Sequence, residues 1–124
     1  MTGEPGVERK GPAARGPFCV SDEDQATIER FLDSIWAEDG LARNSLESYR
    51  FDLLAFSAFL RDRALSAARR DDLLDYLSHR SRLGFSARSN ARMLSCLRRF
   101  YGHLKSRQGL EHDPTERIEH PRQG

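Results

Sequence analysis

"SARSNARMLSCLRRFYGHLKSR" (residues 86–107) carries two patterns at once. Ala87, Ala91, Leu94, Leu97, Tyr101 and Leu104 recur at three- and four-residue intervals, which puts them on one face of an α-helix. Between them stand six cations, Arg88, Arg92, Arg98, Arg99, Lys105 and Arg107, with no carboxylate, a net +6. Ser86 is placed to cap the first turn, and Gly109 to stop the last. The spacing predicts a helix over 87–107, roughly 30 Å long at about 1.5 Å per residue.

The same period recurs upstream three times. Ser21 precedes Asp22, Glu23 and Asp24, an N-cap followed by acids suited to the positive end of a helix dipole. Ile28, Phe31, Leu32, Ile35 and Trp36 then form an apolar face that ends at Gly40, which predicts a helix over 22–38. "NSLE" at 44–47 has the ends of a capping box, and Leu46, Tyr49, Leu53, Phe56 and Leu60 carry a second helix to 61. A shorter helix is expected over 70–82, with Leu73, Leu74 and Leu77 inward and Gly84 closing it. No segment alternates as a half-buried strand does. The fold class is therefore all-α, a four-helix bundle, with Leu46, Leu53, Phe56, Leu94, Leu97 and Trp36 expected in its core.

The remaining segments read differently. Residues 1–20 are rich in Gly and Pro, without periodicity, and are expected to be a disordered leader before a helical domain over 21–109. Residues 110–124 hold Asp113-Pro114 and His120-Pro121 and read as a linker towards a further domain. No apolar run approaches the ~20 residues that span a bilayer. Cys19 and Cys96 lie far apart in sequence and are expected to stay reduced, which fits a cytoplasmic location.

Nineteen acids against twenty Lys and Arg leave the chain nearly neutral, yet the charge is segregated. Residues 21–42 hold seven acids and one arginine, a net −6, opposite the +6 of residues 86–107. On the basic helix, Arg88, Arg92, Ser95 and Arg99 follow each other at spacings of four, three and four, on a face away from the Leu94–Leu97–Tyr101 stripe. Arginines for phosphates and guanine edges, with Ser89 and Asn90 nearby, suit a helix placed in a DNA major groove. The plainer alternative is a solvated face packed beside the acidic first helix. "ARNSLESYR" brings Arg43, Asn44, Ser45 and Arg50 to the start of the second helix, a second polar or basic N-terminal region. Tyr49 fits either a phosphate contact through its hydroxyl or a half-buried core position.

"IERFLDSIWAEDGLARNSLESYRFDLLAFSAFL" followed by "SARSNARMLSCLRRFYGHLKSRQGLEHDPTERIEHPR" resembles the N-terminal, core-binding domain of Xer-type tyrosine recombinases, in the phage-integrase-like superfamily. "NSLESYRFDL" is similar to that family's Thr/Ser-Leu-x-x-Tyr-x-x-Asp-Leu signature, and "ARMLSCLRRFYGHL" to its Arg-x-Leu-Ser-x-Leu-Arg-x-Phe-Tyr-x-x-Leu signature. "DPTERIEHPR" is similar to the joint before the catalytic domain. The three stand in order at the right separations, and the wording is closer to D-type than to C-type members.

The resemblance implies a SAM-like, lambda-integrase-like four-helix domain that closes on double-stranded DNA together with a catalytic domain. The second and fourth helices would lie in or against the major groove. Carried over by position, the DNA-facing residues are Arg43, Asn44, Ser45, Tyr49 and Arg50, then Arg88, Ser89, Asn90, Arg92 and Arg99. Phe51 departs from the family, which has a basic or polar residue there, and is expected to pack against a neighbour. The family's nucleophilic tyrosine and its arginine, lysine and histidine partners lie beyond Gly124, so this chain alone is expected to have no catalytic residue. The resemblance also implies DNA integration and recombination, such as chromosome dimer resolution, with sister recombinase subunits as partners.

His79, His103, His112 and His120 show no metal-ligand spacing with the cysteines, and no phosphate-cradling Gly-rich loop is present. Neither metal nor other cofactor, small-molecule ligand nor membrane is expected. Two other readings compete: a helical protein–protein interaction module without DNA binding, and a small regulator that occupies recombination sites without cutting them.

Overall fold

The computed structural model describes residues 19–116 together with Ile118. The expected leader therefore lies outside the described residues except for Cys19 and Val20, and Val20 is buried against the core. Among the described residues the elements are α1 (Asp22–Asp39), α2 (Arg43–Leu60), a short 3-10 turn (Leu65–Ala67), α3 (Arg70–Arg82) and α4 (Ala87–Gln108), with no strand. All four helices begin and end within a residue of their sequence-predicted bounds.

Local chemistry explains most of these ends. Ser21 is extended, and its Oγ accepts the Asp24 N–H at 3.1 Å. Gly40 closes α1 at φ 62°, where a side chain would be strained, and returns its N–H to the Trp36 carbonyl. Ser86 repeats the capping on α4, accepting the Ser89 N–H at 3.0 Å. Helix α2 differs from expectation. Ala42 occupies the N-cap and has no side-chain acceptor, so Asn44 already lies inside the helix and the Asn44–Glu47 box does not form. Glu47 turns instead to Arg50 Nη1, 2.7 Å away.

Helix α4 touches all three other helices, which is why its buried arc is wider than a single stripe. Met93, Cys96 and Phe100 join Leu94, Leu97, Tyr101 and Leu104 in the core, while Ala87 and Ala91 are only partly covered. Phe31 of α1 meets Phe100 edge-on at 5.3 Å, and Leu53 and Phe56 of α2 are fully enclosed. Two expected core residues are not buried. Trp36 is 55% exposed: it stands about 80° around α1 from Ile28, far enough to roll off the line of Ile28, Phe31, Leu32 and Ile35. Leu74 also faces solvent, while Leu73, one residue earlier, is buried. Leu46 is partly buried against the core. Cys19 is exposed and Cys96 buried, and both are free thiols.

A polar network crosses this apolar core. Asp24, one turn into α1, is buried, and its carboxylate accepts Ser57 Oγ–H of α2 at 2.6 Å and the Leu65 N–H at 3.0 Å. The Leu65 carbonyl in turn accepts the Tyr101 hydroxyl of α4 at 2.6 Å. The chain after Gly109 folds back onto this body: Pro114, Thr115 and Ile118 are buried, and the Ile118 carbonyl accepts from Arg98.

Two stability measurements check this packing. Leu53→Ala should cost about 2–5 kcal/mol in chemical denaturation, because the residue is fully enclosed. Asp24→Ala strands two buried donors and should cost about 3 kcal/mol, against about 1 kcal/mol for Tyr101→Phe, which removes one bond. A reversed order would mean that the Asp24 hub carries no special weight.

Candidate nucleic-acid interface

The solvent face of α4 is the stripe the sequence predicts: Arg88, Arg92 and Ser95 are exposed, with Arg99 partly so. Five of the helix's six cations nevertheless have partners within the chain. Arg99 pairs with Asp39 and Arg107 with Glu38, both acids in the last turn of α1. Lys105 reaches Glu116 at 3.2 Å, and Arg98 donates to the Ile118 carbonyl. Arg92 reaches across to Asp52 of α2. Arg88 has no ion-pair or hydrogen-bond partner among the described residues.

These pairs are not equivalent. Where both partners are half-exposed, as in Arg99–Asp39 and Arg107–Glu38, an ion pair contributes only about 0–1 kcal/mol, so a phosphate competes easily. Asp52 is different, because its carboxylate is 7% exposed while the Arg92 side chain is 54% exposed. Burial raises the Asp52 pKa above the ordinary carboxylate value, and the Arg92 hydrogen bond opposes that shift.

On α2 the predicted residues divide. Arg43, Asn44 and Ser45 are exposed in the first turn. Arg50 is turned towards α1: its Nε and Nη2 bond the two oxygens of Glu29 at 2.9 and 2.7 Å, and those hydrogen bonds raise its pKa further. Tyr49 is partly buried with its ring stacked on Phe31 at 6.3 Å, which is the packing alternative, and burial raises its phenol pKa. Phe51, expected against a neighbour, is 56% exposed.

Asn90 is buried and does not belong to an exposed face. Its Oδ1 accepts Arg80 Nε–H at 2.8 Å, and its Nδ2 donates to Ser81 Oγ at 2.9 Å. Ser89 Oγ accepts from the same guanidinium at 2.9 Å, and Arg80 stacks over Phe85 with its Cζ 4.0 Å from the ring centre. These groups lock the end of α3 to the start of α4. Reaching a base would cost Asn90 all of those bonds, a penalty that its exposed neighbour Arg88 does not face.

The structure thus brings Arg92 of α4 onto α2 at Asp52, with Tyr49 within electrostatic reach of Asp52, Arg92 and Cys96. Asp52 and Arg80 are the organising residues that sequence reading missed. Asp52 sits inside the quoted "SYRFDL", but nothing local signals that its partner is forty residues away. Among the described residues no group of three or more His, Cys, Asp or Glu is placed to hold a metal, and no helix is long and apolar enough to cross a membrane.

Comparison with known proteins identifies the family. Residues 28–108 match the family described as phage integrase, N-terminal SAM-like domain. The chain is 44% identical over 126 residues to tyrosine recombinase XerD of Xanthomonas campestris pv. campestris, covering 98% of this chain and 38% of that protein. It is 42% identical over 107 residues to the XerD of Pseudomonas aeruginosa, covering 85% of this chain and 36% of that protein. The XerD of Xanthomonas axonopodis pv. citri is 48% identical over 101 residues, covering 79% of this chain and 33% of that protein. The chain thus spans little more than a third of the length of these relatives, and no solved structure matches it. A match over most of the helical body, joined to identities above 40%, settles the membership: this chain belongs to the phage integrase N-terminal SAM-like domain family.

Proposed function

We propose that this chain is the part of a site-specific tyrosine recombinase that grips double-stranded DNA through α2 and α4. The observation that carries the reading is the exposed stripe Arg88–Arg92–Ser95–Arg99 on α4, together with the exposed, uncapped first turn Arg43–Asn44–Ser45 of α2. A stripe of arginines on one 22-residue helix suits a major groove, with phosphates taken at its edges and bases at its centre. Arg43, Arg88 and Arg99 take phosphates, and Arg92 reads a base. Asn90 and Arg50 stand outside this set because their polar groups are bonded within the fold. The whole protein, with its catalytic part and sister subunits, acts in DNA integration and recombination such as chromosome dimer resolution, as the resemblance to Xer-type recombinases implies. An interaction module joined through acidic α1 and basic α4 is less favoured, because those acids already pair with α4 inside one chain.

Salt titration tests the reading. With three phosphate contacts at about −0.9 each, log K against log[salt] should slope by about −2.7 on random duplex DNA. Arg99→Ala should weaken all sequences alike and flatten that slope by about one unit. A wild-type chain without affinity for duplex DNA at low salt would remove DNA binding and leave the interaction module.

The tyrosines of the described residues are poor nucleophiles. Tyr101 donates its buried hydroxyl to Leu65, and burial pushes its phenol well above the ordinary value. Burial also raises Tyr76 and Tyr49. Incubated with supercoiled DNA carrying a recombination site, the chain should leave no nick and no phosphotyrosine adduct. An adduct on any of these three would overturn their packing roles.

A further inference from the structure

We propose that Asp52 is a positioning residue for base recognition, a buried carboxylate on α2 that holds the Arg92 guanidinium of α4 by one edge and aims its other edge at a guanine. The inference rests on the DNA-binding reading and names a determinant within it. Its basis is which atoms are engaged. Asp52 Oδ2 accepts from Arg92 Nη1 at 2.9 Å, and Oδ1 faces Nη2 at 3.4 Å, so the carboxylate takes the end edge of the guanidinium. The side edge, Nε–H with the second Nη2–H, makes no hydrogen bond among the described residues. Those two N–H groups are parallel donors, the geometry that matches O6 and N7 of guanine in the major groove.

The burial difference makes the clamp directional. Asp52 cannot turn to water, and a buried carboxylate left without its partner is strongly disfavoured. Arg92 is therefore held back from the nearest phosphate, unlike Arg99, whose Asp39 partner is itself about half-exposed. An arginine tied in this way loses little side-chain freedom on meeting a base, since its orientation is set before DNA arrives. Tyr49 of α2 and Cys96 of α4 lie within electrostatic reach of the same carboxylate.

The test uses the 124-residue chain and a randomised duplex pool. Sequences selected by the wild type should carry a guanine at one fixed place. Replacing that guanine by another base should weaken binding about five- to hundredfold, the span of one bidentate arginine–guanine pair, and 7-deazaguanine, which keeps O6 but lacks N7, should lose part of it. Asp52→Asn should lose this discrimination yet bind the unselected pool with a salt slope about one unit steeper, because the released Arg92 turns to a phosphate. In an Arg92→Ala background, Asp52→Asn should change discrimination no further, since its effect passes through Arg92.

Equal losses on selected and unselected duplexes, together with a lowered Tm, would make Asp52 a packing residue and sink the proposal. So would a guanine preference that survives in Asp52→Asn, or no selected guanine at all. Should Asp52→Asn fail to fold, Arg92→Lys decides: it keeps the charge and the ion pair but lacks the planar side edge. It should lose the guanine preference at an unchanged salt slope, and a preserved preference would overturn the inference. Absence of salt-dependent DNA binding by the wild type is a separate outcome, which would remove the DNA-binding reading itself.

Discussion

The fold turns on the carboxylate of Asp24. Leu65 is fully enclosed at the start of a 3-10 turn, a position that brings a peptide N–H into the core with no backbone partner of its own. Asp24 takes the N–H, and Tyr101 adds a second bond to the C=O that the Ala68 N–H already meets, while Ser57 holds the second oxygen of Asp24. One acid near the amino end of α1, where the helix dipole favours negative charge, thus joins α1, α2, the α2–α3 connection and α4. Apolar packing alone would let α4 slide or roll against its neighbours. A hydrogen-bond chain of fixed length does not, and the rotation of α4 decides which arginines look outwards.

The segregation of charge along the chain follows the same logic at the surface. Glu38 and Asp39 lie at the carboxyl end of α1, the wrong end for acids with respect to the dipole. Arg107 and Arg99 supply the missing positive charge from α4. The −6 of one segment and the +6 of another are therefore partly a matter of internal complementarity. What these pairs leave uncommitted on the basic helix, among the described residues, is Arg88 and the outer edge of Arg92, a smaller and better oriented charge than the composition suggests.

Helix existence and bounds were legible because caps and periods are local: Ser21, Ser86, Gly40 and Gly109 all act where a one-dimensional reading places them. The exceptions are also instructive. Trp36 and Leu74 were misplaced because a helical wheel does not say where the neighbouring helix ends. The Asn44 box failed because the N-cap of α2 falls at Ala42, two residues before Asn44. Of the candidate interface, the Arg88–Arg92–Ser95–Arg99 stripe was legible from spacing alone. Asn90 was not: its amide looked like a base reader until Arg80, ten residues upstream, proved to be its partner. Asp52 with Arg92, and Asp24 with Leu65, join residues about forty positions apart, and no local pattern encodes such meetings.

The two cysteines carry a kinetic consequence. Cys19 is exposed at the edge of the fold, whereas the Cys96 thiol is enclosed on α4, and burial raises its pKa further from the reactive thiolate form. An oxidant or alkylating reagent in the surrounding solution therefore meets one thiol at once. It meets the other only during excursions in which α4 lifts away from α2. The ratio of the two reaction rates is an internal clock for that opening, written into the native sequence, and it reads the mobility of the very helix that carries the basic stripe.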